Sequence, residues 1–364
     1  MAGAARLARL RALFALELQH LMTVQASDRP WQMPFAAALA SGLPLLIGAW
    51  FNHLEYGLVA SLGGLVFLYL PGTPLQHRMV MVMACAFGMA ACYTLGLMSH
   101  FAPPLMVPVL TFIAILATMV CRFYDVGPPG SLFFIMVAAV GAYSPVAPAQ
   151  LPLLVGLLTM GALLACLIGF FYSLVVLRLR APKAAAPLPA PTFDFVVFDA
   201  VVIGVFVGIS LAAAQLLGLQ KGYWVPVSCL AVIQGASLSA VWRKQVQRVI
   251  GTNIGLLLSL GLFLLPLDKW SICAAMMLLT FVIEMTVVRH YAFAAVFITP
   301  LSILLAEAAS LGHVPAVALI QARFFDTILG CLIGLIGGYC LHSRRFRERV
   351  GAPLRRLLSL RTGA

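Results

Sequence analysis

Charge is what this chain has least of. Only 9% of its 364 residues are charged, 11 of them acidic, while 63% are hydrophobic. So few polar groups cannot cover a water-soluble globule of this length, which excludes the soluble classes. Paired cysteines are missing too: the eight cysteines form no CxxC, and Cys85, Cys92, Cys166, Cys229, Cys273, Cys331 and Cys340 all fall in apolar segments. They read as small packing residues, with neither a metal site nor a disulfide framework to expect. No GxxxxGK[ST] loop is present to cradle ATP phosphates, and no HExxH, GxSxG or paired-carboxylate cluster supports an enzyme. Any transport would be secondary or passive, and no cofactor is expected.

What the chain does have is apolar runs of roughly 20 residues, enough to cross a bilayer, recurring from Trp31 to His342 with short polar breaks. Backbone groups in lipid must pair within their own segment, and these runs have the length of helices rather than the alternation of barrel strands. The expected fold is an all-α integral membrane protein of about twelve transmembrane helices. Their expected spans are 32–52, 56–72, 79–99, 104–121, 129–145 and 149–177, then 195–217, 222–238, 245–266, 270–288, 291–308 and 314–341. Residues 31–178 and 195–342 form two six-helix repeats joined by a Pro/Ala-rich linker at 179–194, whose composition resists helix. The segment 1–30, in which Leu7, Leu10, Phe14 and Leu21 can share a face, reads as a basic interfacial helix, and 343–364 as a basic tail.

One offset of 165 residues relates the halves: Gly57 falls on Gly222, Arg78 on Arg243, and CLIG at Cys166–Gly169 on CLIG at Cys331–Gly334. Six helices separate equivalent points, so the repeats are parallel and related by a pseudo-two-fold axis along the membrane normal. The net charge of +12 raises the question of nucleic acid, but the cations sit at helix ends rather than on one face, which excludes that partner. Loops holding Arg78, Arg122, Arg178, Arg180, Arg243 to Arg248 and Arg289 fall on one side with both basic termini, and the opposite loops hold only Lys221 and Lys269. By the positive-inside rule both termini and the linker are cytoplasmic.

An ionised group at membrane depth costs about 2.5–3.5 kcal/mol or more, so each one is a functional candidate. In QARFFDTILG, Arg323 and Asp326 are spaced i,i+3 inside the last span, share a face and can pair. They form either a static ion pair or a substrate site. In the second reading Arg323 takes a substrate carboxylate and Asp326 is a competing counter-ion whose protonation frees Arg323 or couples transport to protons. Glu284 lies about four residues from a cytoplasmic helix end, where it snorkels, meets Arg289 or lines an entrance. Gln234 bonds either a substrate or a neighbouring helix.

Trp224, with Tyr223, is an interfacial anchor or a stacking wall for an aromatic ring. Pro226 and the Thr299–Pro300 pair interrupt helical hydrogen bonding, as at transporter cavities or ordinary kinks. Arg248 closes the expected cytoplasmic turn WRKQVQR, and beyond it Gly251, Gly255 and Ser259 form a narrow ridge for close helix approach. Asp194 and Asp199 suit a helix start, and Glu307 a solvated helix end. At the repeat offset Arg323 meets Leu158, Asp326 meets Gly161 and Glu284 meets Met119. A pathway between the halves would therefore be lined by polar groups from the second half alone.

GYWVPVSCLAVIQ, beginning at Gly222, is followed by RKQVQRVIGTNIG, RHYAFAAVFITPLSILL and RFFDTILGCLIG, which includes Gly330. These four stretches, in this order over Gly222 to Gly334, resemble the fusaric acid resistance protein family, which includes the aromatic acid exporters and has plant aluminium-activated malate channels as distant relatives. Many members carry large soluble domains where this chain has a short linker. The resemblance implies a bacterial inner-membrane secondary exporter of organic, often aromatic, carboxylic acids, working with a periplasmic adaptor protein in Gram-negative cells. Its partners would be an organic-anion substrate and the lipid bilayer, with a homo-oligomer open. An organic-anion channel and a non-transporting scaffold or assembly factor stay open as alternatives.

Overall fold

Residues without a polar stripe become helices buried on most sides or facing lipid, and this chain has little else. The computed structural model describes residues 26–27, 29–185, 188, 192–219, 221–307 and 315–359. The first half contains α1 (Gln32–Trp50), α2 (Leu54–Gly64, prolonged by a 3₁₀ turn at Leu65–Tyr69), α3 (Leu75–His100), α4 (Met106–Phe123), α5 (Leu132–Ala142) and α6 (Leu151–Leu179). The second contains α7 (Asp199–Leu216, entered through a π-helical turn at Asp194–Phe198), α8 (Trp224–Ile233), α9 (Leu238–Phe263), α10 (Lys269–Thr286), α11 (Tyr291–Glu307) and α12 (Ala316–His342); α13 (Arg344–Ser359) follows. No strand occurs among the described residues, and the chain is an all-α membrane protein. The expected interfacial helix at 1–30 lies almost wholly outside them, as does the side chain of Glu307.

Eight of these helices are long and apolar enough to cross a membrane, while α2, α5, α8 and α11 are shorter apolar helices. The short ones hold the second and fifth places of each half. At about 1.5 Å per residue, ten-residue α8 rises only some 15 Å, half the thickness of a hydrocarbon core. Its ends therefore stop at depth, which is tolerated because every residue of α8 is buried in protein.

Neighbour relations recur between the halves. In the first, α2 and α3 pack on α6, α1 on α2 and α3 on α5; in the second, α8 and α9 pack on α12, α7 on α8 and α9 on α11. The halves meet through α4 against α7 and α10 against α1, a reciprocal pair, with α5 against α8 between them. Each of the two outer contacts carries an ion pair, and the signs are crossed. Arg122 at the end of α4 donates to Asp199 at the start of α7 at 2.7 Å, whereas Arg29 before α1 donates to Glu284 near the end of α10 at 2.7 Å.

Asp199 also binds Arg347, so it ties α13 to the bundle rather than only balancing a helix dipole. Glu284 meets Arg29 instead of Arg289 because α10 ends against the entry to α1.

One loop is displaced from its expected place. The turn after α8 is Gln234 to Ser237, where the Ser237 hydroxyl caps α9 by accepting from the Ala240 N–H at 3.2 Å. WRKQVQR therefore lies inside the first turns of α9 and not in a loop, because the Gly235–Ala236–Ser237 break offers both a turn and an N-cap. Arg248 is thereby carried into the protein, only 5% exposed.

Candidate functional site

Small residues set the site by letting two helices close up. A side chain on Gly330 would meet Ser228 Cβ at 2.7 Å, and one on Gly334 would meet the Cys229 carbonyl at 2.7 Å, so α12 lies directly on α8. That approach places Arg323, two turns into α12, over the first residue of α8. The Arg323 guanidinium sits 3.8 Å from the centre of the Trp224 ring, a desolvated cation–π contact.

Arg323 is 3% exposed and Asp326 1%. Nε and Nη1 of Arg323 and both carboxylate oxygens of Asp326 have no hydrogen-bond partner among the described residues. The i,i+3 pairing expected between them does not form. A long helical side chain points back toward the helix N-terminus, which takes Arg323 to Trp224 and away from Asp326.

Around this pair stand Tyr223, whose ring lies 5.3 Å from Trp224, and Tyr143 of the first half, 5.8 Å from Tyr223. The Tyr143 phenol is within charge range of Asp326, and a side chain on Gly222 would meet its hydroxyl at 3.0 Å, so Gly222 keeps that place open. A cleft of only about 10 Å³, lined by Lys221, Tyr223, Trp224, Ile303, Leu319 and Arg323, adjoins the guanidinium.

Arg248, one of the packing and motif residues by sequence, is the second cation here. It donates to Tyr291 Oη at 3.1 Å and to Ser228 Oγ at 3.2 Å, while its Nε has no partner among the described residues. The two guanidiniums are close enough to repel. Among the described residues two buried cations thus face one carboxylate, and the hydrogen-bond partners of Arg248 are neutral. Counted over the described residues, the polar centre is short of one negative charge and has unpartnered N–H groups in a low-dielectric setting, which is what an anion site requires.

The other residues named from sequence separate into three groups. Trp224 is buried beside Arg323, whereas Trp270 is 41% exposed and packs on Trp50, as an interfacial anchor would. Gln234 is remote from Arg323: it donates to Ser131 Oγ at 2.9 Å inside a vestibule of about 740 Å³ where α5 begins and α8 ends. Glu284 is an ion-pair partner on the opposite α10–α1 contact.

Pro226 falls in the first turn of α8, where its missing N–H removes no helical bond. Pro300 is inside α11, and Thr299 lies where a Gly255 side chain would be, with Gly251 likewise closed by Ala292 and Ala295. Thr299, Gly251 and Gly255 therefore serve the packing of α9 on α11. Sequence reading missed Tyr143, Tyr291 and Ser228, and treated Arg248 as a loop cation. Only the helical phase through Gly251 and Gly255, which share its four-residue spacing with Ser259, pointed to burial of that ridge.

The fold and this centre define a multi-pass helical membrane protein whose second half holds a buried arginine–aromatic site. Residues 209–337 match the family described as fusaric acid resistance protein-like, so the resemblance read from the four motifs holds over that part of the chain. The chain is also similar to the uncharacterized membrane protein YvaC of Bacillus subtilis (strain 168), 30% identical over 153 residues, which is 41% of this chain and 24% of that protein. The match thus spans about a quarter of that relative's length. No solved structure matches.

Proposed function

We propose that this protein is a secondary exporter of organic, chiefly aromatic, carboxylates across the bacterial inner membrane, with both termini in the cytoplasm. The observation that carries the reading is the Arg323 guanidinium, buried with N–H groups unpartnered among the described residues and stacked on Trp224. A carboxylate would take the planar fork of Arg323 while its ring extends the Trp224–Tyr223 wall, and Arg248 would supply the remaining charge. Asp326 does not bond Arg323 but lies within charge range of it, so its protonation would favour anion entry and couple flux to protons. Gln234 and the vestibule beside it would admit substrate from the linker end. A periplasmic adaptor and a homo-oligomer are compatible partners.

Proteoliposomes loaded with a panel of aromatic and aliphatic carboxylates, with and without a pH gradient, test this reading. Saturable, gradient-dependent efflux of aromatic acids is expected. Ohmic conductance would instead make the protein a channel, and no flux above protein-free vesicles would leave the scaffold reading.

A further inference from the structure

At the linker end the fold carries a second vestibule, of about 470 Å³, in the place that corresponds to the one beside Gln234. It lies where α2 ends and α6 ends, between the entry to α1 and the turn after α10, and its volume falls within the range of ligand pockets. The first vestibule is lined by Arg122, Lys244 and Arg347 but also by Asp125 and Asp199, and Asp199 bonds both arginines. The second is lined by Arg29, Arg78, Arg180 and Lys183, and among the described residues no acidic one lines it. Arg29 has Glu284 as its partner. Arg78 is 4% exposed and donates only to neutral groups, the Thr73 carbonyl at 2.5 Å and Ser173 Oγ at 3.4 Å.

These cations converge. Arg29 before α1, Arg78 in the first turn of α3 and Arg180 after α6 come from three separate elements, and all three act electrostatically on one phenol, that of Tyr172. Lys183 is held at the rim by its backbone N–H, which donates to the Gly72 carbonyl at 3.0 Å. We infer that this vestibule binds an anionic phosphate group, carried by a phospholipid headgroup or by a free phosphate compound. Forked donors arriving from three directions suit a tetrahedral phosphate, whose oxygens point out of a common plane, whereas both oxygens of a carboxylate lie in one plane. The site is distinct from the Arg323 centre, and it stands where helices end, the depth at which headgroup phosphates lie.

The full chain, purified in a maltoside detergent, would be titrated at constant ionic strength with short-chain phosphatidylglycerol, short-chain phosphatidylcholine and inorganic phosphate, reading Tm by intrinsic fluorescence. The Arg180→Glu/Lys183→Glu variant tests the site, because both side chains are exposed. A saturable rise in Tm is expected, weakened at least about tenfold in the variant and unchanged in Arg323→Ala. A response to phosphatidylglycerol alone assigns the site to a lipid headgroup, and a response to inorganic phosphate as well assigns it to the phosphate itself; both support the proposal. No saturable response, equal responses to phosphatidylglycerol and phosphatidylcholine, or an undiminished response in the variant overturns it. Loss of the response in Arg323→Ala would also overturn it, by placing the anion at the central site.

Discussion

Replacing Arg323 by Met together with Asp326 by Leu removes the two buried ions whose N–H groups and oxygens lack partners among the described residues, while keeping side-chain volume. The Trp224 contact at 3.8 Å contributes about 2 kcal/mol when desolvated, and the double change forfeits it. Against that, each uncompensated buried ion costs several kcal/mol, and apolar replacement of buried ionic groups ranges from neutral to about 4 kcal/mol stabilising. The expected outcome is an unchanged or higher Tm. Ligand binding should move the other way: losing a charge-assisted carboxylate contact of about 1.5–3 kcal/mol weakens affinity by about tenfold to a hundredfold. Arg323→Lys, which keeps the charge but not the fork, should fall between. Tm in detergent and quenching of Trp224 fluorescence by an aromatic carboxylate read both quantities on the same sample. A sharp fall in Tm with unaltered binding would refute the argument, because the arginine would then be a structural residue.

Three further changes follow from packing and electrostatics. Gly255→Leu should separate α9 from α11, since even a Cβ would lie 2.7 Å from Thr299 Cβ; a loss of about 1–3 kcal/mol or more is expected and is checked by Tm and by yield of monodisperse protein. Glu284→Gln leaves Arg29 without its charge partner at the contact between the halves, with an expected loss of about 1.5–3 kcal/mol that Arg29→Gln in the same chain should partly restore. Asp268 caps α10 from outside the membrane-spanning segment, and its hydrogen bonds from Ser271 hold its carboxyl below the usual value. Its stabilisation is complete above the ordinary aspartate pKa and disappears as pH falls through the lowered folded-state value. Tm measured down that acid range should therefore fall more in wild type than in Asp268→Asn, which keeps the cap but has no proton to gain.

Long apolar runs made the helices legible, since composition over 20 residues says that a segment must satisfy its own backbone. Short helices were harder to see. The run over 222–238 reads as one span, but the helix ends at Ile233 and α9 starts at Leu238, and only the Gly235–Ser237 turn and cap reveal the break. That error carried Arg248 from the protein interior to a loop, because orientation arguments assign every cation near a helix end to water. Arg323 and Trp224 were visible as candidates, since an intramembrane arginine is rare enough to stand out. Their stacking was not, because i,i+3 spacing describes neighbours on one helix and says nothing of the helix opposite. Tyr143 carries no local signal at all: it reaches the site through the packing of α5 on α8.

The proposed transport turns on an organic carboxylate lying between Arg323 and Trp224. The most direct test is a structure determined with an iodinated benzoate bound, at a concentration that saturates flux in proteoliposomes. Carboxylate density within hydrogen-bond distance of Arg323 Nη1, with the iodinated ring along Trp224 and Tyr223, is the predicted result. Iodine density confined to the vestibules, or none in the protein, would contradict it.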